Sequence, residues 1–199
     1  MPLLISLVAA RPPSYEILIL RDESIVGGRS CVRQERFDWS RKILDMAHLK
    51  IREAQPGDEE DLAAMMALLW PDGRVEEYRR EADELIRTRM YGTMPGVFLL
   101  ALEENQKAIG FVQVGLRSHA DGCDMEHPVA FIEGWFMHDS FRGAGMGRKL
   151  MEAAENWGRT MRCHEIASDA LIANDESIRA HTALGFEAVD RCVHFRKKL

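Results

Sequence analysis

The sequence predicts an α/β protein in which one mixed β-sheet carries helices on its faces. Apolar alternation and short apolar runs, which are typical of strands, interchange along the chain with segments of helical apolar spacing. The predicted order is β, α, α, β, β, β, α, β, α, β, which indicates a sheet with helices packed on it. A third observation is an apolar, aromatic run at 130–137 that leads through a short turn into glycines at the start of a long helical pattern.

The predicted domain begins near residue 47. Residues 1–46 contain Pro12-Pro13 and Gly27-Gly28 and show no sustained apolar period. We interpret them as an N-terminal extension, either mobile or upstream of a true start near Met46, with a strand at Ile17–Leu20 as the alternative. The remaining residues, 47–199, are predicted to form the domain.

The first half of this domain predicts a strand, two helices and a hairpin. Alternation predicts the strand at 49–54, and Asp58, with Asp61 three residues later, predicts a capped helix start. Proline and glycine at 71–73 end that helix. The other elements are a helix at 75–88, a loop at 92–96, strands at 97–102 and 108–117, and a loop at 118–128.

The second half predicts a strand at 130–137, a helix from about 145 to 162 and a strand at 164–170. A helix follows from Asn174 to Leu184, with Gly185 as its C-cap. Residues 186–196 are predicted to form one or two strands. The loop at 118–128 contains histidines and acids, but they lack the helical or paired spacing of metal ligands, so we expect no metal.

Composition excludes several classes of function. The formal net charge of −6 argues against nucleic-acid binding through phosphate contacts. No apolar run reaches the roughly 18 residues that a membrane-spanning helix needs. The four cysteines form no C-x-x-C pair, which predicts reduced thiols in a cytoplasmic protein. Acidic charge also favours a cationic substrate, although it serves solubility equally well.

The glycine turn, residues 142–148, is the strongest local signal. The N–H groups of a first helical turn lack partners within the helix, and glycine permits close approach, so the turn can bind phosphate. It lacks the Gly-Lys-Ser/Thr of a Walker A loop, and its G-x-G-x-G spacing is not the Rossmann pattern. The alternative is a glycine-rich corner between a strand and a helix.

The pattern R-x-x-G-x-G, at Arg142, Gly145 and Gly147, resembles the pyrophosphate-binding loop of the GNAT acetyltransferases, which hold acetyl-CoA. The order of elements and the ending His181-Thr182-Ala183-Leu184-Gly185-Phe186 are also similar to that family. The resemblance covers residues 48–199. It implies the GNAT fold, α/β (α+β), with a mixed, mostly antiparallel central sheet flanked by helices.

Five short strings in order resemble, more specifically, the aminoglycoside 6′-N-acetyltransferases. They are Leu69-Trp70-Pro71, Asp121-Gly122-Cys123-Asp124, Phe131-Ile132-Glu133-Gly134, Ala167-Ser168-Asp169 and His194-Phe195-Arg196-Lys197. This resemblance implies acetyl transfer from acetyl-CoA to the 6′-amine of an aminoglycoside antibiotic, and a homodimer.

The resemblance also implies roles for individual residues. For acetyl-CoA they are Trp135, Phe136 and Met137 along the pantetheine arm, Arg142, Gly143, Ala144, Gly145, Met146, Gly147 and Arg148 around the pyrophosphate, and Asn174 at the start of the last helix. For the aminoglycoside they are Trp70, Gly73, Glu133, Asp169 and Asp190. Gly73 stands where relatives can carry a histidine, and His181 where many carry a tyrosine general acid.

The two carboxylates on neighbouring predicted strands suit the chemistry. An aminoglycoside amine is largely protonated at neutral pH, so its proton needs an acceptor before attack on a thioester. We predict Asp169 as that base, with Glu133 positioning the amine. The alternatives are a strand-end capping role for Asp169 and ion pairing with a basic residue for Glu133. Another amine substrate, or acyl-CoA binding without turnover, are the competing functions.

Overall fold

The computed structural model describes residues 50–143 and 145–198. The prediction of an extension at 1–46 therefore lies outside the described residues, as does the role predicted for Ala144.

Within the described residues, six strands form one mixed, mostly antiparallel sheet, as predicted. They are β1 (Lys50–Glu53), β2 (Met90–Tyr91), β3 (Met94–Leu102), β4 (Ala108–Arg117), β5 (Val129–Met137) and β6 (Ile166–Ser168). Their order is β1-β3-β4-β5-β6, and β2 pairs with β3. Every pairing is antiparallel except that of β5 with β6, which is parallel.

Four α-helices in the described part of the chain flank the sheet. They are α1 (Glu59–Leu69), α2 (Val75–Thr88), α3 (Met146–Thr160) and α4 (Asp175–Ala183), and a short 3₁₀ turn lies at Asp139–Phe141. Apolar side chains of α1 and α2 pack with Phe98 and Phe111 on one face, while α3 packs with Val112 and Ile132 on the other. The helical spacing read from the sequence therefore marks the buried faces of α1 and α3, whereas α4 has no fully buried residue.

A β-bulge at Glu133 changes which β5 side chains face α3. Gln113 pairs with Gly134 and Val114 with Ile132, so Glu133 is an extra residue without a β4 partner. Ala130 and Ile132 pack in the α3 core before the bulge, and Met137 does so after it. Such a bulge redirects a side chain and ends regular pairing. It directs Glu133 to the face covered by α1 and α2.

Three local predictions are wrong. The loop predicted at 92–96 is mostly strand, because Met94 and Pro95 pair with Tyr91 and Met90 across a tight turn. Asp58 makes no side-chain cap on α1; its carboxylate instead accepts from the backbone N–H of Gln55 and pairs with Arg52.

The third difference concerns the end of the chain. Residues 186–196 form no strand, although their alternation predicts one. None of the described helices combines the length and the apolar character that a bilayer-spanning helix requires.

Candidate active site

The site begins at an open edge of β5. β5 pairs with β6 only from Ala130 to Ile132. Beyond that point, no described strand pairs with this side of β5, so part of the backbone at 133–137 is available to an extended ligand. The guanidinium of Arg142 already binds one group there, since its Nε donates to the carbonyl of Met137 at 3.0 Å.

The glycine turn leads from this edge into α3. Gly143 and Gly145 have positive φ angles of 72° and 83°, which glycine adopts without strain. A methyl group added at Gly143 would meet nothing within 4 Å, so the backbone here faces open space. No side chain caps α3. Its first N–H groups therefore lack acceptors within the helix and suit an anion.

Two side chains near the turn, those of Met146 and Trp135, point into the protein. Met146 is fully buried, so only its backbone faces the turn. A Cβ at Gly147 would lie 2.8 Å from Cζ2 of Trp135, which explains the glycine. The indole N–H of Trp135 is buried beside this helix start and has no acceptor among the described residues. A buried donor without an acceptor is costly, and a bound oxygen-rich ligand would satisfy it.

The two arginines of the turn connect it to α4. Arg142 pairs with Glu176 at 2.9 Å and with Asp139 at 3.2 Å. Arg148 donates to the carbonyl of Ala183 at 3.0 Å. Both guanidinium groups therefore position the turn as well as adding positive charge to it.

Asn174 caps α4. Its Oδ1 accepts from the backbone N–H of Ser177 at 3.1 Å. Phe136 and Met137, predicted with Trp135 on the pantetheine strand, have buried side chains, so a ligand reaches only their backbone. Phe136 stacks on Phe111 with ring centroids 6.2 Å apart.

Glu133 forms a bidentate ion pair with Arg117. Nε of Arg117 donates to Oε1 at 3.0 Å, and a second guanidinium N–H donates to Oε2 at 2.6 Å. Only 8% of the Glu133 side chain is exposed, and the guanidinium also lies 3.3 Å from the ring centroid of Phe131. Ion pairing with a basic residue, the alternative raised for Glu133, therefore occurs.

Asp169 lies next to Glu133 in register. The last β5–β6 pair joins Ile132 to Ser168, so each carboxylate is one residue beyond the point where the strands separate. Asp169 is exposed, so solvent has access to it.

Trp70 lies over the same stretch of β5. A Cβ at Gly134 would come within 2.5 Å of its ring, so that glycine makes room for the indole. Gly73 has a different reason to be glycine, since a Cβ there would lie 1.9 Å from the hydroxyl of Tyr78. That hydroxyl donates to the carbonyl of Trp70 at 2.7 Å. Trp70 therefore packs on Gly134, the residue next to Glu133, and Gly73 packs against Tyr78.

Asp190 is not brought to this group by any contact in the structure. It is exposed in a segment without secondary structure, and its Oδ1 accepts from the N–H of Arg191. The neighbouring Val189 packs against Gly122 of the loop before β5.

A buried polar group beside Glu133 escaped sequence reasoning. Gln113 on β4 is 1% exposed and donates to Glu81 of α2 at 3.1 Å. Burial raises the pKa of Glu81, and the charge of Glu133 raises it further. Burial also raises the pKa of Tyr91 to about 12, again with Glu133 adding to the effect. The sequence predicted only that Gln113 lies in a strand. The charge pattern of the helix predicted that Glu81 lies on its solvent-exposed face.

Glu81→Gln is expected to stabilise the protein at alkaline pH. Because the folded state raises the pKa of Glu81, folding favours the protonated carboxyl. The contribution of the protonated Glu81 carboxyl to the free energy of unfolding is complete at low pH. It is lost as the pH rises through the pKa of Glu81 in the folded protein. The variant should exceed the wild type in free energy of unfolding at pH 8, by on the order of 1 kcal/mol, and match it near pH 4. Urea denaturation at both pH values measures this.

The control for this variant is Glu76→Gln, an exposed position on the same helix whose charge is not among those that raise the pKa of Glu81. A stability difference for Glu81→Gln that did not change with pH would contradict the explanation from burial.

His181 has partners for both ring nitrogens. Nδ1 lies 2.8 Å from the carbonyl of Ser177, which can only accept, so Nδ1 carries the proton. Nε2 then accepts from the hydroxyl of Ser168 at 3.0 Å. The ring also packs edge-on against Trp135. Its position links β6, β5 and α4.

An open groove of about 530 Å³ lies at the end of β5. It is lined by residues of β4, β5 and the 3₁₀ turn, among them Phe136, His138 and Arg142. The groove reaches the glycine turn at Arg142.

This arrangement defines a class of protein. An open strand edge, an anion-binding helix start and two carboxylates at the strand gap suit an enzyme that binds a long phosphate-bearing acyl carrier beside an amine. The Acetyltransferase (GNAT) family profile matches residues 62–186, and the chain belongs to that family.

Curated relatives are similar over most of the domain. The aminoglycoside N(6′)-acetyltransferase type 1 of Klebsiella aerogenes is 36% identical over 149 residues, which cover 75% of this chain and 96% of the relative. The enzyme of the same name from Stenotrophomonas maltophilia is 34% identical over 151 residues, covering 75% and 93%.

Solved structures of aminoglycoside acetyltransferases are also similar to this chain. AAC(6′)-Iy in complex with the bisubstrate analogue CoA-S-monomethyl-acetylneamine has a TM-score of 0.68 and 31% identity, covering 76% of this chain and 99% of that one. The aminoglycoside 6′-N-acetyltransferase AAC(6′)-Ih from Acinetobacter baumannii has a TM-score of 0.68 and 32% identity, with the same coverage.

Proposed function

We propose that this protein transfers the acetyl group of acetyl-CoA to the 6′-amino group of aminoglycosides and so gives resistance to them. The observation that carries the proposal is the gap where β5 and β6 separate. It places Glu133 and Asp169 at adjacent register positions beside an open strand edge and a glycine turn. The chain's similarity to aminoglycoside N(6′)-acetyltransferases supports the choice of substrate.

The residues around the glycine turn fit acetyl-CoA. Backbone groups at 135–137 can pair with the amides of the pantetheine arm, as a strand edge pairs with an extended peptide. The N–H groups from Gly145 to Arg148 suit the pyrophosphate, because the helix start is uncapped and the glycines leave it uncovered. The buried indole N–H of Trp135 offers a further donor. Acetyl-CoA supplies the acetyl group as a thioester.

The carboxylates fit the amine. Asp169 accepts a proton from the 6′-ammonium group, directly or through water, and the neutral nitrogen then attacks the thioester carbonyl. As the tetrahedral adduct collapses, the nitrogen loses its second proton, the carbon–sulfur bond breaks, and the coenzyme leaves as a thiolate that takes up that proton directly or through water. A β5 backbone N–H near Phe136 or Met137 polarises the carbonyl oxygen. Because Arg117 already neutralises Glu133, we propose that Glu133 positions the amine and that Asp169 is the base.

The test uses purified protein with acetyl-CoA and pairs of kanamycin-type compounds that have or lack the 6′-amine, with thiol release as the readout. The proposal expects release only with the 6′-amine. Release with both compounds would reject the regiochemistry, and release only with polyamines would reassign the substrate. Acetyl-CoA binding without thiol release would identify a binding module.

Replacing Trp70 by Leu is expected to raise KM for the aminoglycoside by about tenfold and to leave KM for acetyl-CoA unchanged. The indole lies over Gly134, next to Glu133, where a sugar ring would stack on it. Leucine retains part of its packing with Phe111 and Tyr78. Initial-rate kinetics with each substrate varied in turn measure both constants.

Trp157→Phe is the matched control, because Trp157 packs on the opposite face of the sheet in the α3 core. An equal rise in both KM values for Trp70→Leu would count against a sugar contact.

We also propose a homodimer. β6 lies at the edge of the sheet, and Val193 and Phe195 in the following tail are 75% and 92% exposed. An unpaired strand edge and exposed apolar side chains of this kind each support coverage by a second copy. Free thiols at Cys123, Cys163 and Cys192 support a cytoplasmic protein.

A further inference from the structure

A cluster of one carboxylate and two imidazoles lies away from the acetyl-transfer site. Asp124 and His127 belong to the loop before β5, and His164 lies just before β6. One ligand atom from each lies within 4.8 Å of the other two. Nδ1 of His127 lies 2.6 Å from Oδ2 of Asp124, and the two imidazole centroids are 4.2 Å apart. Spacing within the loop gave no sign of it, because His164 comes from a different segment.

We propose that this cluster, Asp124–His127–His164, binds a divalent transition-metal ion, and that Zn²⁺ fits it best. Imidazole and carboxylate ligands suit zinc, and three protein ligands leave a fourth tetrahedral position for water. Bonds of about 2.0 Å place tetrahedral ligand atoms about 3.3 Å apart. The ion would replace the His127–Asp124 hydrogen bond and draw in the more distant imidazole.

The surroundings favour such an ion. Asp124 and His164 are exposed and His127 is half-buried, so an ion has access and the side chains have room to turn. The backbone N–H of Asp124 donates to Oε2 of Glu165 at 2.6 Å, which already joins the two ligand-bearing segments. Glu126 and Glu165 add negative charge near the cluster.

The position of the cluster gives the ion a structural role. β5 and β6 pair in parallel over only three residues of each strand. The cluster lies at the beginning of both strands, and Glu133 and Asp169 lie where the two strands separate at the other end. A metal ion would therefore join the starting ends of this three-pair ladder and hold the register that sets Glu133 next to Asp169.

The experiment uses the whole protein after EDTA treatment and removal of the chelator. Titration with ZnCl₂ by calorimetry should show one site per chain. At free Zn²⁺ near 100 times Kd, the melting temperature should rise by about 5–10 °C. Co²⁺ in place of Zn²⁺ should give the visible absorption of a tetrahedral site.

Substitution identifies the ligands. His127→Asn and His164→Asn should each weaken Zn²⁺ binding by more than about 100-fold, since loss of an outer partner alone costs about 10–100-fold. His119→Asn, in the same loop but bonded to Ser118, should bind as the wild type does. Cys192→Ser tests the Cys192–His194 pair of the tail as the rival site.

Absence of Zn²⁺ binding would overturn the proposal, as would unchanged affinity in His127→Asn or His164→Asn. Loss of binding in Cys192→Ser would move the site to the tail and would also overturn it. Binding without any rise in melting temperature would reject the structural role. None of these readouts depends on acetyl transfer.

Discussion

Replacing Asp169 by Asn is expected to lower kcat/KM for 6′-amino aminoglycosides by about 10²–10⁴-fold, the usual contribution of a positioned acid or base. Asparagine has the same shape but cannot accept the proton of the ammonium group. Because Asp169 is exposed, the substitution should leave folding intact. Thiol release under subsaturating aminoglycoside measures the ratio.

A pH series separates this explanation from a merely structural one. Solvent deprotonates more of the free amine as pH rises, so the deficit of Asp169→Asn should shrink at alkaline pH. A variant that bound the substrate poorly for structural reasons would keep its deficit at every pH. Asp121→Asn, an exposed acid in the loop before β5, is the control. Wild-type kcat/KM in Asp169→Asn would exclude Asp169 as the base.

Arg117→Met is expected to destabilise the protein by about 2–3 kcal/mol at neutral pH. Breaking a buried ion pair costs about 3–5 kcal/mol, and the partial exposure of Arg117, 35%, reduces the loss. Methionine keeps contact with the ring of Phe131, so the main effect is a carboxylate at Glu133 left without its partner and close to Glu81. Urea denaturation at pH 7 measures the free energy of unfolding.

A double-mutant cycle tests the cause. Arg117→Met combined with Glu133→Gln should recover part of the lost stability, because the unpaired charge is gone. Arg89→Met removes an exposed ion pair with Glu53 and should cost less than about 1 kcal/mol. Additive effects of Arg117→Met and Glu133→Gln would show that the pair does not stabilise the fold.

The fold was predictable because most elements carry a local signal. Alternation marked β1 and β6, apolar runs marked β3 and β4, and helical apolar spacing marked α1 and α3. The glycine turn was readable for the same reason, since its residues are consecutive and positive φ angles at Gly143 and Gly145 require glycine.

Features built from distant segments were not predictable in the same way. The bulge at Glu133 depends on the pairing of β5 with β4, and no residue type within β5 predicts it. Arg117 and Glu81 meet the site from β4 and α2, and their polar side chains are those expected of solvated positions. Residues 186–196 were predicted to form one or two strands, but a strand also needs a paired neighbour, and they pair with no described strand.

The contact between Gly73 and Tyr78 limits the order in which substitutions at these two positions can be accepted. A histidine at position 73 would overlap the phenol, whose hydroxyl also fastens the backbone at Trp70. A smaller side chain at 78 would remove the overlap but would also remove the hydrogen bond to the Trp70 carbonyl. The two positions are therefore epistatic: a library that varies 73 alone should recover few active clones, whereas one that varies both positions together should recover more.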